Sequence, residues 1–294
     1  MHVLPPAAAP RPRIPQWIRV PLPSSPAFGR TSRLIEDLRL NTVCESARCP
    51  NRWECWSRAT ATFMVAGSRC TRACGFCAVD TAKPLALEMD EPERVADACL
   101  RLGLKHVVIT MVARDDLTDG AAGHVARTVR AIKESCGAIV IEVLTTDFNG
   151  SDESLKTVLD AGPEIFNHNL ETVGRLTPMV RSRARYQRSL SVLKKARELC
   201  PSVITKSGLM LGLGEQESEI YAAFSDLRES DCDVLTLGQY LQPTLRHLPV
   251  VEFVPPDRFD FYRDRALAMG FREVFSGPLV RSSYHADELK LTSA

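Results

Sequence analysis

The chain has 294 residues, of which 45% are hydrophobic and 25% charged, and a formal net charge of +1. These values are typical of a soluble globular protein with one large domain or two small ones. The near-neutral charge gives no general attraction to nucleic acid, the aromatic content of 6% suggests no base-stacking platform, and no apolar run approaches the ~18 residues that span a bilayer. We therefore expect no nucleic-acid partner and no membrane association.

The first part of the chain, residues 1–57, is rich in proline and arginine and shows little periodicity. It predicts an irregular arm with one short helix near residues 31–40. Its start, MHVLPPAAAPRPRIPQ, lacks the charged and apolar regions of a secretory signal, and its prolines disfavour the amphipathic helix of a transit peptide. We expect a cytoplasmic protein.

From Ala59 onward, short apolar runs alternate with helical stretches that carry apolar residues at three- and four-residue spacing. The six apolar runs are TATFMVAG, HVVITMV, AIVIEVLT, EIFNHNL, VITKSGLML and DVLTLGQYL. Strands that alternate with helices favour parallel pairing, because each helix returns the chain to the same end of the sheet. We therefore predict an α/β fold, a partial (β/α)6 barrel of the TIM type over residues 58–254. The N-terminal arm and a C-terminal segment, residues 255–294 with a further helix, would cover the mouth of the barrel.

Two clusters contain six of the ten cysteines. The first triad consists of Cys44, Cys49 and Cys55, spaced C-x4-C-x5-C, and the second triad consists of Cys70, Cys74 and Cys77, spaced C-x3-C-x2-C. Tight clusters in a long chain without a secretory signal favour metal binding over disulfides. Each triad supplies three ligands, whereas zinc sites and most iron–sulfur clusters have four.

The second triad follows the first predicted strand directly, and barrels place their active sites at the ends of their strands. Three thiolates on a short loop can hold three corners of a four-iron cluster and leave one iron open for a reactant. A zinc site completed by a distant Cys or His is the alternative. The words CTRACGFC resemble the cluster-binding loop of the radical S-adenosylmethionine superfamily.

This resemblance implies a 4Fe-4S cluster whose open iron binds S-adenosylmethionine and, after reduction, yields a 5'-deoxyadenosyl radical. It makes Cys70, Cys74 and Cys77 catalytic residues as well as metal ligands, and it places Phe76 near the adenine. The segment GLMLGLGE resembles the family's glycine-rich segment near the nucleoside, although such a pattern alone is also typical of a tight turn.

Polar residues at the ends of predicted strands supply further candidates for cofactor binding. Arg114 and Asp115 follow the second strand, and Asn169 and Glu171 follow the fourth, where two-residue alternation puts them on one face. His168 falls on the opposite face, and we interpret it as a barrel histidine with satisfied hydrogen bonds. The predicted cofactor-binding residues are Phe76, Arg114, Asp115, Asn169, Glu171, Arg183, Lys206, Gly212 and Glu215.

The first triad is not needed to generate a radical, and its spacing alone leaves a zinc site or a structural cluster open. The sequence motifs around it resemble those of the lipoyl synthase family, over a range from about Trp17 to Ala286. The matching words are PSSPAF, LRLNTVCESARCPNRWECW, GSRCTRACGFCAV, VARDDLTDGAA, FNHNLETV, GLMLGLGE and SGPLVRSSYHA.

The resemblance to this family implies radical insertion of two sulfur atoms, at C6 and C8 of a protein-bound octanoyl-lysine, to give the lipoyl cofactor. It implies two 4Fe-4S clusters, of which the auxiliary one is held by the first triad and consumed as the sulfur donor. The family's fourth ligand is a serine of an RSSY motif, here the catalytic residue Ser283, with Ser282 as the neighbouring alternative. Serine oxygen binds soft, thiolate-bound iron weakly, which suits a cluster that must surrender sulfur.

The implied partners are octanoylated lipoyl carrier domains, namely E2 subunits of 2-oxo acid dehydrogenases and the glycine cleavage H protein, and an electron donor such as ferredoxin or flavodoxin. The loop with Arg181, Arg183 and Arg185 is a candidate surface for an acidic carrier, and equally a solvated loop or a site for the cofactor's carboxylate. Alternative functions are another radical sulfur-inserting enzyme or a zinc-stabilised binding protein. The remaining cysteines, Cys99, Cys136, Cys200 and Cys232, are predicted to be inert buried thiols.

Overall fold

A parallel sheet of seven strands forms the centre of the computed structural model, which describes residues 13–18, 26–181, 183–284 and 286–289. The strands are β1 (Thr62–Val65), β2 (His106–Met111), β3 (Val140–Leu144), β4 (Ile165–Asn167), β5 (Ile204–Leu211), β6 (Val234–Gln239) and β7 (Glu273–Gly277). They pair in chain order, and all six pairs are parallel. Within the described chain β1 and β7 are the two edges of this sheet.

Helices return the chain from the end of each strand to the start of the next. The helices are α1 (Pro26–Asp37), α2 (Val43–Ser46), α3 (Arg52–Ser57), α4 (Glu91–Leu102), α5 (Ala122–Cys136), α6 (Asp152–Leu159), α7 (Thr177–Val180), α8 (Tyr186–Leu199), α9 (Glu217–Glu229) and α10 (Pro256–Ala268). Six strands are each followed by a long helix before β7, so the predicted fold class, a partial (β/α)6 barrel, is confirmed. None of the described helices combines the length and hydropathy needed to cross a bilayer.

Most strands are buried on both faces of the sheet. Helices cover the outer face, and the inner face points into the barrel. All six residues of β6 are buried, as are five of the six in β2. Strands buried on both faces appear in a sequence as near-continuous apolar runs. This pattern is the reason that the six strands could be predicted, and all six are present. The predicted helices after them are present as well.

The N-terminal arm contains more helix than the single short one predicted. In addition to α1, the four-residue α2 carries Cys44 and the six-residue α3 carries Cys55. Helices of one or two turns are too short to show a periodic apolar pattern. The Thr42 side chain caps α2 by accepting a hydrogen bond from the backbone three residues later, at 3.3 Å. The ring of Phe28 on α1 stacks against Trp56 on α3 with centroids 5.4 Å apart, which fixes the two helices together.

The C-terminal segment continues the barrel and then enters it. Both α10 and β7 lie beyond residue 254, so the sheet extends past the predicted boundary, and the division at residues 57 and 254 stays a prediction. After β7 the chain passes so close to β6 that a Cβ atom on Gly238 would lie 2.1 Å from the carbonyl oxygen of Val280. Leu289 then packs against Ile165, Ile204 and Val234, which are the first residues of β4, β5 and β6. The segment therefore runs from the mouth of the barrel to its opposite end.

Candidate active site

A cavity of about 410 Å³ lies inside the barrel, and both cysteine triads border it. All three cysteines of the first triad line it, together with Phe76 and Cys77 from the loop of the second triad. The C-terminal segment contributes residues 280–284 to the wall. One cavity therefore contacts the first triad and, through Cys77, the loop of the second triad, which the sequence alone did not reveal.

The first triad consists of desolvated thiols on the N-terminal arm. Burial raises the pKa of Cys44 and of Cys49, and it raises the pKa of Cys55 to about 12, with repulsion from the other two thiolates as a further cause. The nearby guanidinium of Arg281 opposes this effect at Cys49. Three neighbouring buried thiols ionise together when a bound cation compensates their charge, so this donor set fits a metal cluster.

The C-terminal segment docks directly on this arm. Asn51 Nδ2 donates to the carbonyl of Leu279 at 2.6 Å, and the hydroxyl of Tyr284 donates to the carboxylate of Glu54 at 3.0 Å. Between these two contacts, Ser283 Oγ accepts a hydrogen bond from Thr62 Oγ1 at 2.8 Å. The backbone of Thr62 also hydrogen-bonds the thiol of Cys44. Thr62 therefore links Ser283 to the first triad.

The second triad lies on a loop that several elements support. Cys70 Sγ accepts hydrogen bonds from the backbone N–H groups of Ala113, 3.3 Å away, and Arg72, 3.4 Å away. Gly75 donates to the carbonyl of Val180 and accepts from the backbone of Leu248, both at 2.9 Å. A Cβ atom on Gly75 would lie 3.0 Å from the Leu248 side chain, so this close approach favours glycine. Burial raises the pKa of Cys74 to about 11 and that of Cys77 to about 12.

A buried ion-pair network anchors the same loop. The guanidinium of Arg72 lies 2.7 Å from Asp115 and 2.7 Å from Asp147, whose side chain is completely buried. The hydrogen bonds from Arg72 lower the pKa of Asp115 to about 2. Asp115, a predicted cofactor-binding residue, therefore has a structural partner, and it is not among the residues that line the cavity.

Other predicted cofactor-binding residues also lie away from the cavity. Arg114 donates to the carbonyl of Ala66 at 3.1 Å and forms an ion pair with the carboxylate of Asp116 at 2.9 Å. Lys206 forms an ion pair of 2.9 Å with Glu142 inside the barrel wall. Arg183 is exposed, 4.0 Å from Asp115. For these residues, contact with the cofactor stays a prediction.

Gly212 and Glu215 form a turn after β5. The carboxylate of Glu215 accepts hydrogen bonds from the backbone N–H groups of Gly212 and Leu213, the latter at 2.9 Å. Gly212 has φ of +100°, and a Cβ atom there would lie 2.3 Å from the carbonyl oxygen of Glu252. The tight-turn alternative therefore accounts for this glycine, while the predicted role near the nucleoside stays a prediction.

Asn169 and Glu171 both line the cavity, although they lie beyond Asn167, where β4 ends. Asn169 Nδ2 donates to Ser282 Oγ at 2.7 Å and to the Glu171 carboxylate at 3.1 Å. Its Oδ1 is buried and has no hydrogen-bond partner among the described residues. Glu171 adopts φ of +67°, a strained value for a non-glycine residue, and burial raises the pKa of its carboxyl. An orphaned acceptor beside a buried carboxylate is a suitable partner for the amino group of a bound cofactor.

Arg181 belongs to the site more than the sequence indicated. It is buried, and its guanidinium donates to the carbonyl of Asn169 at 2.9 Å while its charge acts on Cys74 and Glu171. Of the loop's other arginines, Arg183 and Arg185 are exposed, which leaves them free for the surface role. The spacing of the three arginines in the sequence does not reveal which one is buried, because burial depends on how α7 packs.

Several lining residues were missed altogether. They include Thr62, His106 and Val108 from the inner face of the barrel, and Gln239 at the end of β6 with Tyr240 to Pro243 after it. The segment after β6 carried an available signal, because it follows a barrel strand as the two chosen segments do. The other residues carried none, since nothing in their neighbourhood distinguishes them from core residues.

The interpretation of His168 is supported, and that of the remaining cysteines in part. The two ring nitrogens of His168 lie 2.9 Å from the carbonyl of Thr145 and 2.9 Å from the hydroxyl of Ser189, and burial lowers its pKa to about 4. Cys99 and Cys232 are buried, whereas Cys136 and Cys200 are only partly buried.

The geometry of the two triads differs from that of a site that binds a single metal ion. In the part of the chain that the structure describes, no three His, Cys, Asp or Glu side chains converge as ligands of a single metal would. A four-iron cluster has another requirement, because each cysteine binds a different iron. Thiols placed around the wall of a cavity, as in the first triad, suit that requirement.

Comparison with known proteins identifies relatives over nearly the whole chain. The profile of the radical SAM superfamily matches residues 64–227. Lipoyl synthase of Symbiobacterium thermophilum is 54% identical over 94% of this chain and 86% of its own length, and lipoyl synthase of Geobacillus thermodenitrificans is 54% identical over 94% and 93%. Among solved structures, methylornithine synthase shares the fold with a TM-score of 0.52 and 15% identity, over 90% of this chain and 88% of its own. The chain therefore belongs to the lipoyl synthase family, within the radical SAM superfamily.

Proposed function

We propose that this chain inserts two sulfur atoms, at C6 and C8, into an octanoyl group carried on a lysine of a lipoyl carrier domain. The observation that carries this proposal is the single cavity that both triads border. A radical formed at one triad and a sulfur donor at the other must reach the same carbon chain, and one shared cavity allows this. Members of the radical SAM superfamily use S-adenosylmethionine and a 4Fe-4S cluster.

The second triad is assigned to the cluster that works with S-adenosylmethionine, which supplies a radical able to remove hydrogen from an unactivated carbon. Cys70, Cys74 and Cys77 would hold three irons. Asn169 and Glu171 are placed to orient the cofactor, because the buried Oδ1 of Asn169 lacks a partner among the described residues and both side chains face the cavity. The enclosing barrel keeps water from the reacting groups.

The first triad is assigned to the auxiliary cluster that donates sulfur, with Ser283 as its fourth ligand. Two contacts support Ser283 over Ser282. Ser283 is hydrogen-bonded to Thr62, whose backbone hydrogen-bonds the Cys44 thiol. Ser282 is hydrogen-bonded to Asn169 instead, on the side of the second triad.

The proposed partners follow from the same assignment. The acyl group would arrive on the E2 subunits of 2-oxo acid dehydrogenases or on the glycine cleavage H protein, and electrons from a ferredoxin or flavodoxin. The exposed Arg183 and Arg185 are candidates for contact with an acidic carrier. We place these partners and this chain in the cytoplasm.

One anaerobic experiment tests the proposal. The reconstituted chain should bind about eight irons and essentially no zinc. With S-adenosylmethionine, a reductant and an octanoyl-lysine peptide, it should form 6-thio-octanoyl and then lipoyl products, measured by mass spectrometry. Reactions without the cofactor or the reductant serve as controls. A colourless protein rich in zinc, or iron-loaded protein that forms no thiolated product, would contradict the proposal.

A further inference from the structure

Two residues of β2 line the deep end of the cavity, next to Ala286 of the C-terminal segment. Strands of a parallel barrel all begin at one end, so residues near a strand's start lie farthest from the second triad, which follows the end of β1. His106 is the first residue of β2 and Val108 the third, and both line the cavity. Val108 is 5% exposed, and the His106 side chain is 7% exposed. These two side chains therefore limit how far a ligand can penetrate.

A buried ion pair lies beside them. Glu142 on β3 is in register with Val108, and its carboxylate lies 2.9 Å from Lys206 Nζ and accepts from Asn167 Nδ2 at 2.7 Å. The side chains of Glu142 and Lys206 are 0% and 1% exposed. His106 Nε2 lies 3.8 Å from the same carboxylate. Displacing one member would leave a buried charge unpaired, which is strongly unfavourable. The layer that contains Val108 therefore resists displacement by an alkyl chain.

The reacting end of the substrate would lie beside this layer. Insertion at C8 makes the terminal carbon of the octanoyl chain a reacting atom, so that carbon must be held in place. Thr62, which hydrogen-bonds Ser283, is in register with Val108 on the neighbouring strand. The sulfur donor assigned to the first triad and the side chain of Val108 are thus at the same depth in the barrel. A longer chain could place C8 there only by extending past Val108.

We propose that Val108 and His106, flanked by the Glu142–Lys206 ion pair, form the stop that restricts the acyl chain to eight carbons. This inference rests on the proposed sulfur insertion into an octanoyl group. It assigns to Val108 the determination of chain length, in addition to a place in the core. Replacing Val108 by Ala removes two carbons from the stop, which is the volume that two further methylene groups of a decanoyl chain need.

The test compares octanoyl- and decanoyl-lysine peptides on the holoenzyme with both clusters. Val108→Ala should raise the affinity for the decanoyl peptide relative to the octanoyl peptide about tenfold, the effect of burying two methylene groups. Dithiolated decanoyl product should rise in parallel. Val107→Ala is the matched control, because Val107 is the same residue type on the same strand and is buried on the opposite face. It should leave both ratios unchanged.

Val108→Ile gives a second reading in the opposite direction. The added carbon should weaken binding of the octanoyl peptide severalfold while a hexanoyl peptide binds as well as to the wild type. Equal ratios for the two alanine variants, or wild-type enzyme that accepts octanoyl and decanoyl peptides equally, would overturn the length stop and leave the proposed function standing. Wild-type enzyme that thiolates neither peptide would overturn the proposed function, and the stop with it.

Discussion

The two cysteine triads border one cavity but are held in different ways. The second triad lies on a loop fixed by the barrel itself, through backbone bonds to Ala113, Val180 and Leu248 and through Arg72 between two carboxylates. The first triad lies on two short helices and on the turn between them, and its partners include a segment more than two hundred residues away. Under the proposed function, the site that is used repeatedly is built into the barrel, whereas the site that donates sulfur and is rebuilt is closed by a separate segment.

The largest expected effect separates the tasks of the two triads. Cys70→Ala should abolish 5'-deoxyadenosine formation, because it removes a ligand of the radical-generating cluster. Cys44→Ala should retain about four irons and 5'-deoxyadenosine formation but form no thiolated product. Iron analysis and mass spectrometry measure both. Cys200→Ala, a thiol outside both triads, should behave as wild type. The division of labour fails if Cys44→Ala also loses 5'-deoxyadenosine formation.

The proposed fourth ligand of the first triad provides a second way to test the comparison. Ser283→Cys should bind the auxiliary iron more tightly, because thiolate is a softer ligand than serine oxygen. Iron release to a chelator should slow, and sulfur insertion should fall by about tenfold, equivalent to ~1.4 kcal/mol of barrier. Ser191→Cys on the outer surface of α8 is the control. Normal sulfur insertion by Ser283→Cys would show that a weak ligand is not required.

The anchoring of the second triad can be removed without touching a cysteine. Arg72→Met leaves Asp147 buried without its closest cation, so the free energy of unfolding should fall by about 3 kcal/mol. Denaturant unfolding measures the loss. Arg263→Met, which removes only exposed pairs with Asp260 and Asp264, should cost under about 1 kcal/mol. Similar losses in both variants would mean that the network does not fix the loop.

The smallest expected effect concerns the neighbouring serine. Ser282→Ala removes the hydrogen bond from Asn169, a loss of about 1 kcal/mol, so the KM for S-adenosylmethionine should rise about fivefold. Auxiliary iron should stay bound. The reverse result, in which Ser282→Ala loses auxiliary iron and Ser283→Ala retains it, would exchange the assignments of the two serines.

Some features could be predicted from the sequence because their signal is local. The six strands and the helices between them follow from apolar runs and periodicity. Lys206 shows where that reasoning stops. It lies on a strand near polar residues, but its ammonium group pairs with Glu142, 64 positions earlier in the chain. Nothing in the spacing of β5 indicates which side chain on β3 will be its partner.

The sequence by itself determined the chemical types of the ligands, the loop that carries the second triad and the barrel that presents it. These depend on neighbours within a few residues, whose geometry backbone preferences dictate. The tertiary structure decided that the first triad and Cys77 line one cavity, that Ser283 and Ser282 contact different residues and that Val108 lies on the inner face of the barrel. Such facts depend on strand register and on the path of residues 278–284 and 286–289. Packing of distant segments sets both, because burial and hydrogen bonding are satisfied across the whole fold.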